Sequence, residues 1–292
     1  MIKFSQNEVN AMATLNLGLS TNKESRILLF GSLFSRKILK KFYIDNGPKF
    51  EDKIIVINNL IKNRDKFDSR FILPQEFASV DGRTVGYVMD FVESKNLETL
   101  LNSNSVSNFQ KILLLKEVGL LLETCKALRQ KYKELSQFYI GDLHEGNFIY
   151  NKKTGCLNIV DLDGCRLQSS NPCIAKYLDT SKEIKNMERK YPRTNDSVYI
   201  PNENSDIYCY IMMILNFLYQ GNVQELSKEE YLNYLDYINN LGIKQSLVDI
   251  FSKVYQEEDN ENPCYLLETI NEFIVPYVSK LEYENHKAYI KK

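Results

Sequence analysis

Gly141-Asp142-Leu143-His144-Glu145-Gly146-Asn147 is the densest cluster of reactive side chains in the chain, and Val160-Asp161-Leu162-Asp163-Gly164 follows it, with Asp161 fourteen residues after Asn147. Between them lie two short apolar runs, Phe148–Tyr150 and Leu157–Val160, joined by Asn151-Lys152-Lys153-Thr154-Gly155, a pattern that predicts a β-hairpin. Asp142, Asn147, Asp161 and Asp163 all border that hairpin and converge at one end of it. Three or four hard oxygen donors at one point suit Mg²⁺, which takes few protein ligands and keeps places for phosphate oxygens. Asp, Asn and Gly also serve as turn formers at hairpin ends, which accounts for any one of these residues better than for all of them together. Two other chemistries fail on counting. A calcium loop starting at Asp161 has its glycine at loop position 4 instead of 6, and Pro172 where a bidentate Glu is needed. A metallophosphoesterase reading of Asp142-Leu143-His144 needs several more histidines, and the chain has only one other, His286.

Working outward, Arg26–Phe30, Lys37–Tyr43, Phe71–Leu73 and Thr84–Met89 are β-branched or aromatic runs broken by turn signals such as Asp81-Gly82. Glu51–Ile61 carries apolar residues at 54, 55, 57, 60 and 61, a helical stripe, and Phe109–Tyr132 predicts a long amphipathic helix. From Asp163 to Ser205 the chain is polar and aperiodic, as functional loops are. Asp206–Tyr219 is apolar nearly all round and predicts a helix buried on every side. The expected class is α+β, with a small antiparallel sheet and one helix over 1–92 and a larger, mainly helical part over 93–292.

The chain has 292 residues, 43% apolar and 26% charged, which excludes a disordered chain. Lys plus Arg (37) nearly cancels Asp plus Glu (38), so no global field steers it to nucleic acid or to an anionic membrane. No apolar run is long enough to cross a bilayer, and Met1–Glu8 lacks the apolar stretch of a signal peptide, so a cytoplasmic location is expected. The six cysteines include no C-x-x-C pair and read as free thiols.

The segment 141–147 resembles the catalytic loop of the protein-kinase-like superfamily in its G-D-L-H-x-G-N form, and Val160–Asp163 resembles the metal-binding D-F-G segment, with Asp163 where the glycine usually stands. Ile38-Leu39-Lys40 resembles the lysine-bearing strand, Tyr87–Val92 the hinge, and Asn204–Tyr208 the start of the buried helix after the activation segment. The likeness runs from about residue 15 to 275 and implies a bilobal kinase-like fold, N-lobe 1–92 and C-lobe 93–292, binding Mg-ATP between the lobes. It implies Asp142 as the base toward the attacking hydroxyl, and Asn147 and Asp161 as Mg²⁺ ligands. Lys40, with Lys41 as the fallback, would pair with the α/β-phosphates and with a helix carboxylate, Glu51 or Asp52, although the helix register puts Lys53 at that position. Adenine would meet the backbone of Asp90 and Val92, with Met89 behind the pocket, and Asn96 would touch the ribose. Asp206 would be buried, accepting backbone N–H groups of the catalytic loop.

There are departures. The phosphate-cradling loop, Leu17–Ser25, holds one glycine, Gly18. Ile140-Gly141 stands where the family has His-Arg, so an activation-loop phosphate lacks its usual cation, and activity independent of loop phosphorylation is expected. Pro201-Asn202-Glu203 lies close to Asp206, and the arginine expected to pair with Glu203 is replaced near Asn262-Pro263. Lys182, Lys185, Arg189, Lys190 and Arg193 give the long loop a local positive excess suited to an acidic partner or to a solvated face. A protein Ser/Thr hydroxyl is the leading expected acceptor; a small molecule of the aminoglycoside or choline type and a catalytically silent nucleotide-binding scaffold are the alternatives.

Overall fold

In the computed structural model the chain is α+β; residues 1–15, 25–32, 35–43, 47–168, 200–255, 261–269 and 290 are described, without the side chains of 47–52, 255, 268 and 269. Among the described residues, six strands form one sheet: β1 (Ile2–Phe4), β2 (Ala13–Thr14), β3 (Ser25–Ser32), β4 (Ser35–Phe42), β5 (Glu76–Val80) and β6 (Arg83–Asp90), in the order β1-β5-β6-β4-β3-β2. A second sheet joins β7 (Ser94–Asn96) to the predicted hairpin, β8 (Phe148–Asn151) and β9 (Cys156–Ile159). The helices are α1 (Gln6–Ala11), α2 (Gly47–Lys62), α3 (Leu97–Leu101), α4 (Asn108–Lys131), α5 (Glu203–Tyr219), α6 (Lys228–Asn240) and α7 (Gln245–Ser252).

Three expectations need correction. The large sheet is mixed, because β1 pairs in parallel with β5, and Phe4 meets Phe30 edge-on at 5.3 Å. The first ninety residues hold a second helix, α1, only six residues long; Ser5 and Glu8 form its capping box, which stabilises a helix too short to show periodicity. Phe71–Leu73 is not a strand: Phe71 makes only an isolated bridge to Ile159, and Pro74, which has no N–H, separates this segment from β5.

Alternation along β4 decides what faces what. Phe42 shares a face with Tyr87 and Met89 of β6, and Ile57 of α2 packs there, with Ile38 at the margin. Lys40 lies between Ile38 and Phe42 on that face, directly opposite Tyr87. The other face carries Leu28, Leu39 and Val88, covered by Val9 of α1. Val56 and Leu60 of α2 belong instead to the main core, built on α4 and α5. Helix α2 therefore has two apolar contacts, one with the sheet and one with the main core. Among the described residues no helix is long and apolar enough to cross a membrane.

Gly86 of β6 permits the close approach of β4, since a Cβ there would lie 1.8 Å from the Lys40 carbonyl oxygen. Gly86→Ala should thus cost about 1–3 kcal/mol by overpacking and shift Lys40. Gly82→Ala, with nothing within 4 Å but a φ of +83°, should cost only the left-handed penalty of about 1–2 kcal/mol. Urea denaturation of the two variants checks the ranking.

Candidate active site

Lys40 is only 4% exposed, so its ammonium must find partners inside the protein. It contacts the Asp161 carboxylate and lies 2.8 Å from Asp163 Oδ1, while Lys53 Nζ of α2 lies 3.4 Å from Asp163 Oδ2. Both ammonium groups lie 5.4 Å from the centre of the Phe42 ring. Both aspartates come from the turn after β9. Asp161 adopts φ +62° and ψ 43°, a left-handed conformation that Asp tolerates better than most residues, and Leu162–Gly164 forms one 3₁₀ turn. The turn leaves the Asp161 side chain 39% exposed and the Asp163 side chain 2%.

Electrostatics divides the two. Burial alone would raise Asp163, but Lys40 and Lys53 outweigh it and hold the carboxyl well below the usual carboxylate range. Desolvation beside the buried Lys40 and the neighbouring Asp163 charge raise Asp161 above the usual carboxylate range against the pull of Lys40. Burial would lower Lys40, yet Asp161 and Asp163 raise it well above the ordinary lysine value.

The 141–147 loop is held from below. Asp206, buried near the start of α5, accepts N–H groups from Ile140 and Gly141, each at 2.8 Å, as expected from the sequence. Burial pushes its carboxyl up to about 6, and these two donors hold it down. Gly141 has φ +76°, and Asp142 N donates to Ile140 O at 3.0 Å, a tight turn that presents Asp142. Asn147 Nδ2 donates to Asp142 O at 2.9 Å and lies 3.5 Å from its Oδ2. Asn147 O accepts Val160 N at 2.9 Å, which ties the loop to the Asp161 turn. His144 Nδ1 accepts Gly146 N at 3.1 Å, a structural bond; its Nε2 is 3.7 Å from Asp142 Oδ2, beyond hydrogen-bond length.

The hairpin thus brings Asp142 and Asn147 beside the segment holding Asp161, Asp163 and Lys40. Among the described residues no three His, Cys, Asp or Glu side chains form a metal cage. The atoms that would serve as oxygen donors to a cation are the Asp161 carboxylate and the amide oxygen of Asn147, whose nitrogen is engaged by Asp142. Two hard donors fit a cation that keeps water and phosphate oxygens, as Mg²⁺ does.

The other expected residues have these partners. Asp90 is exposed, pairs through its backbone with Lys37 and has Oδ2 3.8 Å from Arg64. Phe91 N donates to Arg36 O, and Val92 O accepts Ser94 Oγ at 3.1 Å. Asn96 caps α3, its Oδ1 accepting Thr99 N at 2.9 Å. Met89 is buried behind Phe42 and Tyr87. Gly18, the side chains of Glu51 and Asp52, and the charged loop 182–193 lie outside the described residues. The cationic partners of Glu203 are Arg129 at 3.4 Å and Lys126 at 3.5 Å, both from α4. Sequence reading overlooked them because they lie in a helix read only for its apolar stripe; their i, i+3 spacing was the available sign.

The chain matches no protein-family model and no curated protein.

Asp206→Ala should leave two buried N–H groups without an acceptor and cost about 2–6 kcal/mol, whereas Asp206→Asn keeps one acceptor and should cost less. With its folded pKa above the unfolded value, Asp206 contributes stability fully below about pH 4 and loses it as pH climbs towards 6. Denaturation of wild type and Asp206→Asn across pH 3–7 should show the wild-type advantage shrinking over that interval.

Proposed function

We propose that the protein is a Mg²⁺- and ATP-dependent phosphotransferase of bilobal kinase-like fold, with a protein Ser/Thr hydroxyl as acceptor. The observation that carries the proposal is the buried Lys40 in contact with Asp161, together with Asn147 tied to both Asp142 and the Asp161 turn. Phosphoryl transfer needs charge neutralisation and positioning more than covalent chemistry, and this set supplies both.

On this reading Lys40 fixes the nucleotide phosphates, and Asp161 with Asn147 Oδ1 holds the cation. Mg²⁺ supplies charge neutralisation at the phosphates when bound. Asp142, oriented by Asn147 Nδ2, accepts the proton of the acceptor hydroxyl as its oxygen bonds to the γ-phosphorus and the bond to the ADP oxygen breaks. Adenine would lie against the 90–92 backbone, and Asn96, engaged as a cap, would meet the ribose through its amide nitrogen.

A small-molecule acceptor is the second reading. A polar cleft of about 430 Å³, lined by Glu98, Asn102, Asn104, Lys111 and Glu145, abuts the catalytic loop and has room for one.

Transfer of labelled γ-phosphate should fall about 10²-fold or more in Asp142→Ala, with Mg-ATP still raising the melting temperature. Asp161→Asn, which tolerates the left-handed backbone while removing the charge, should lose both transfer and the Mg-dependent part of the thermal shift. The assay offers the protein itself, a generic protein substrate and amino-alcohol small molecules. Label on protein supports the first acceptor, and label only on a small molecule the second. Equal transfer by wild type and Asp142→Ala would sink the mechanism.

A further inference from the structure

Two ammonium groups share one carboxylate beside β4. α2 brings Lys53 to this point, and residue 163 is an aspartate with one oxygen 2.8 Å from Lys40 and the other 3.4 Å from Lys53. The Asp163 side chain is almost wholly buried, and Lys53 is largely so. A buried carboxylate between two ammonium groups is held by both and fixes the position of each.

We infer that Asp163 is the positioning residue for Lys40 and that Lys53 is its counter-charge. This rests on the phosphotransferase reading. The logic follows from the two aspartates that Lys40 touches. Asp161, the more exposed, is the one able to turn to a cation, and when it does Lys40 needs another anion to stay in place. Asp163 is that anion. Without it Lys40 and Lys53 would repel across the Phe42 ring, and Lys40 would compete with the cation for Asp161. The Lys53–Asp163 contact also links α2 directly to the turn after β9, so the helix and the catalytic residues share one ionic joint.

The test is a charge-swap cycle: wild type, Asp163→Gly, Lys53→Glu and the double variant Lys53→Glu/Asp163→Gly, each measured for KM(ATP), kcat and nucleotide-dependent thermal shift. Each single variant should raise KM(ATP) roughly tenfold or more, since each changes the charge balance that fixes Lys40 beside the nucleotide. The double variant, which moves the carboxylate onto α2, should bring KM back to within about threefold of wild type. A merely structural role would let the double variant recover melting temperature without recovering KM. If Asp163→Gly does not fold, Asp163→Asn keeps the shape, removes the charge and should raise KM by a similar factor. A double variant no better than the worse single, or Asp163→Asn with unchanged KM, overturns the inference. If wild type gives no nucleotide-dependent shift and no transfer, the phosphotransferase reading itself fails and takes the positioning role with it. Nucleotide binding by wild type without rescue in the double variant sinks the positioning role alone.

Discussion

A lysine with no access to water forces the structure around it. Burying an ammonium group costs several kcal/mol unless anions meet it, and those anions must themselves be desolvated. Lys40 meets this requirement with two aspartates more than 120 residues further along the chain, so the central strand of the large sheet is bound to a turn of the second sheet. Several local features serve that joint. Gly86 lets β4 come close, the left-handed Asp161 turns both carboxylates toward it, and Lys53 balances the second carboxylate.

Helix α2 is the mechanical counterpart of this ionic joint. Ile57 packs on the sheet while Val56 and Leu60 pack into the main core, so one helix touches both bodies of apolar packing as well as the turn after β9. A shift of α2 would move Lys53 against Asp163 and so be felt at Lys40. On the phosphotransferase reading, nucleotide affinity and the seating of α2 are therefore coupled through a single carboxylate.

Much of the site was legible because its chemistry is local in sequence. The 141–147 loop and the 160–164 turn flank one hairpin, and the hairpin pattern alone brings their oxygens together. Asp206 was legible as a buried acceptor because a carboxylate opening an all-apolar helix has to be satisfied. The helix register likewise put Lys53 at the point where it is found. What escaped were contacts that depend on tertiary placement. The pairing of β1 with β5 joins residues more than seventy apart and leaves no periodic trace, and α1 is too short to show one. Asp163 was read as one of the hairpin-end oxygen donors and as a departure from a pattern, whereas its two oxygens face Lys40 and Lys53.

Ile140-Gly141, which looked like the loss of a phosphate-binding arginine, is a different backbone solution. Gly141 sits at φ +76° while donating its N–H to Asp206, a conformation an arginine would adopt only with strain. Two described cations near the segment have partners within the protein. Arg166 donates to Pro201 O at 3.1 Å, so residues on either side of the long polar segment are joined directly. Arg129 pairs with Glu203 while its guanidinium stacks 4.5 Å over Tyr139, whose backbone in turn bridges to Arg166. These contacts use only side chains the chain always carries. On the phosphotransferase reading, the residues at the two ends of the segment are joined by contacts that need no phosphate.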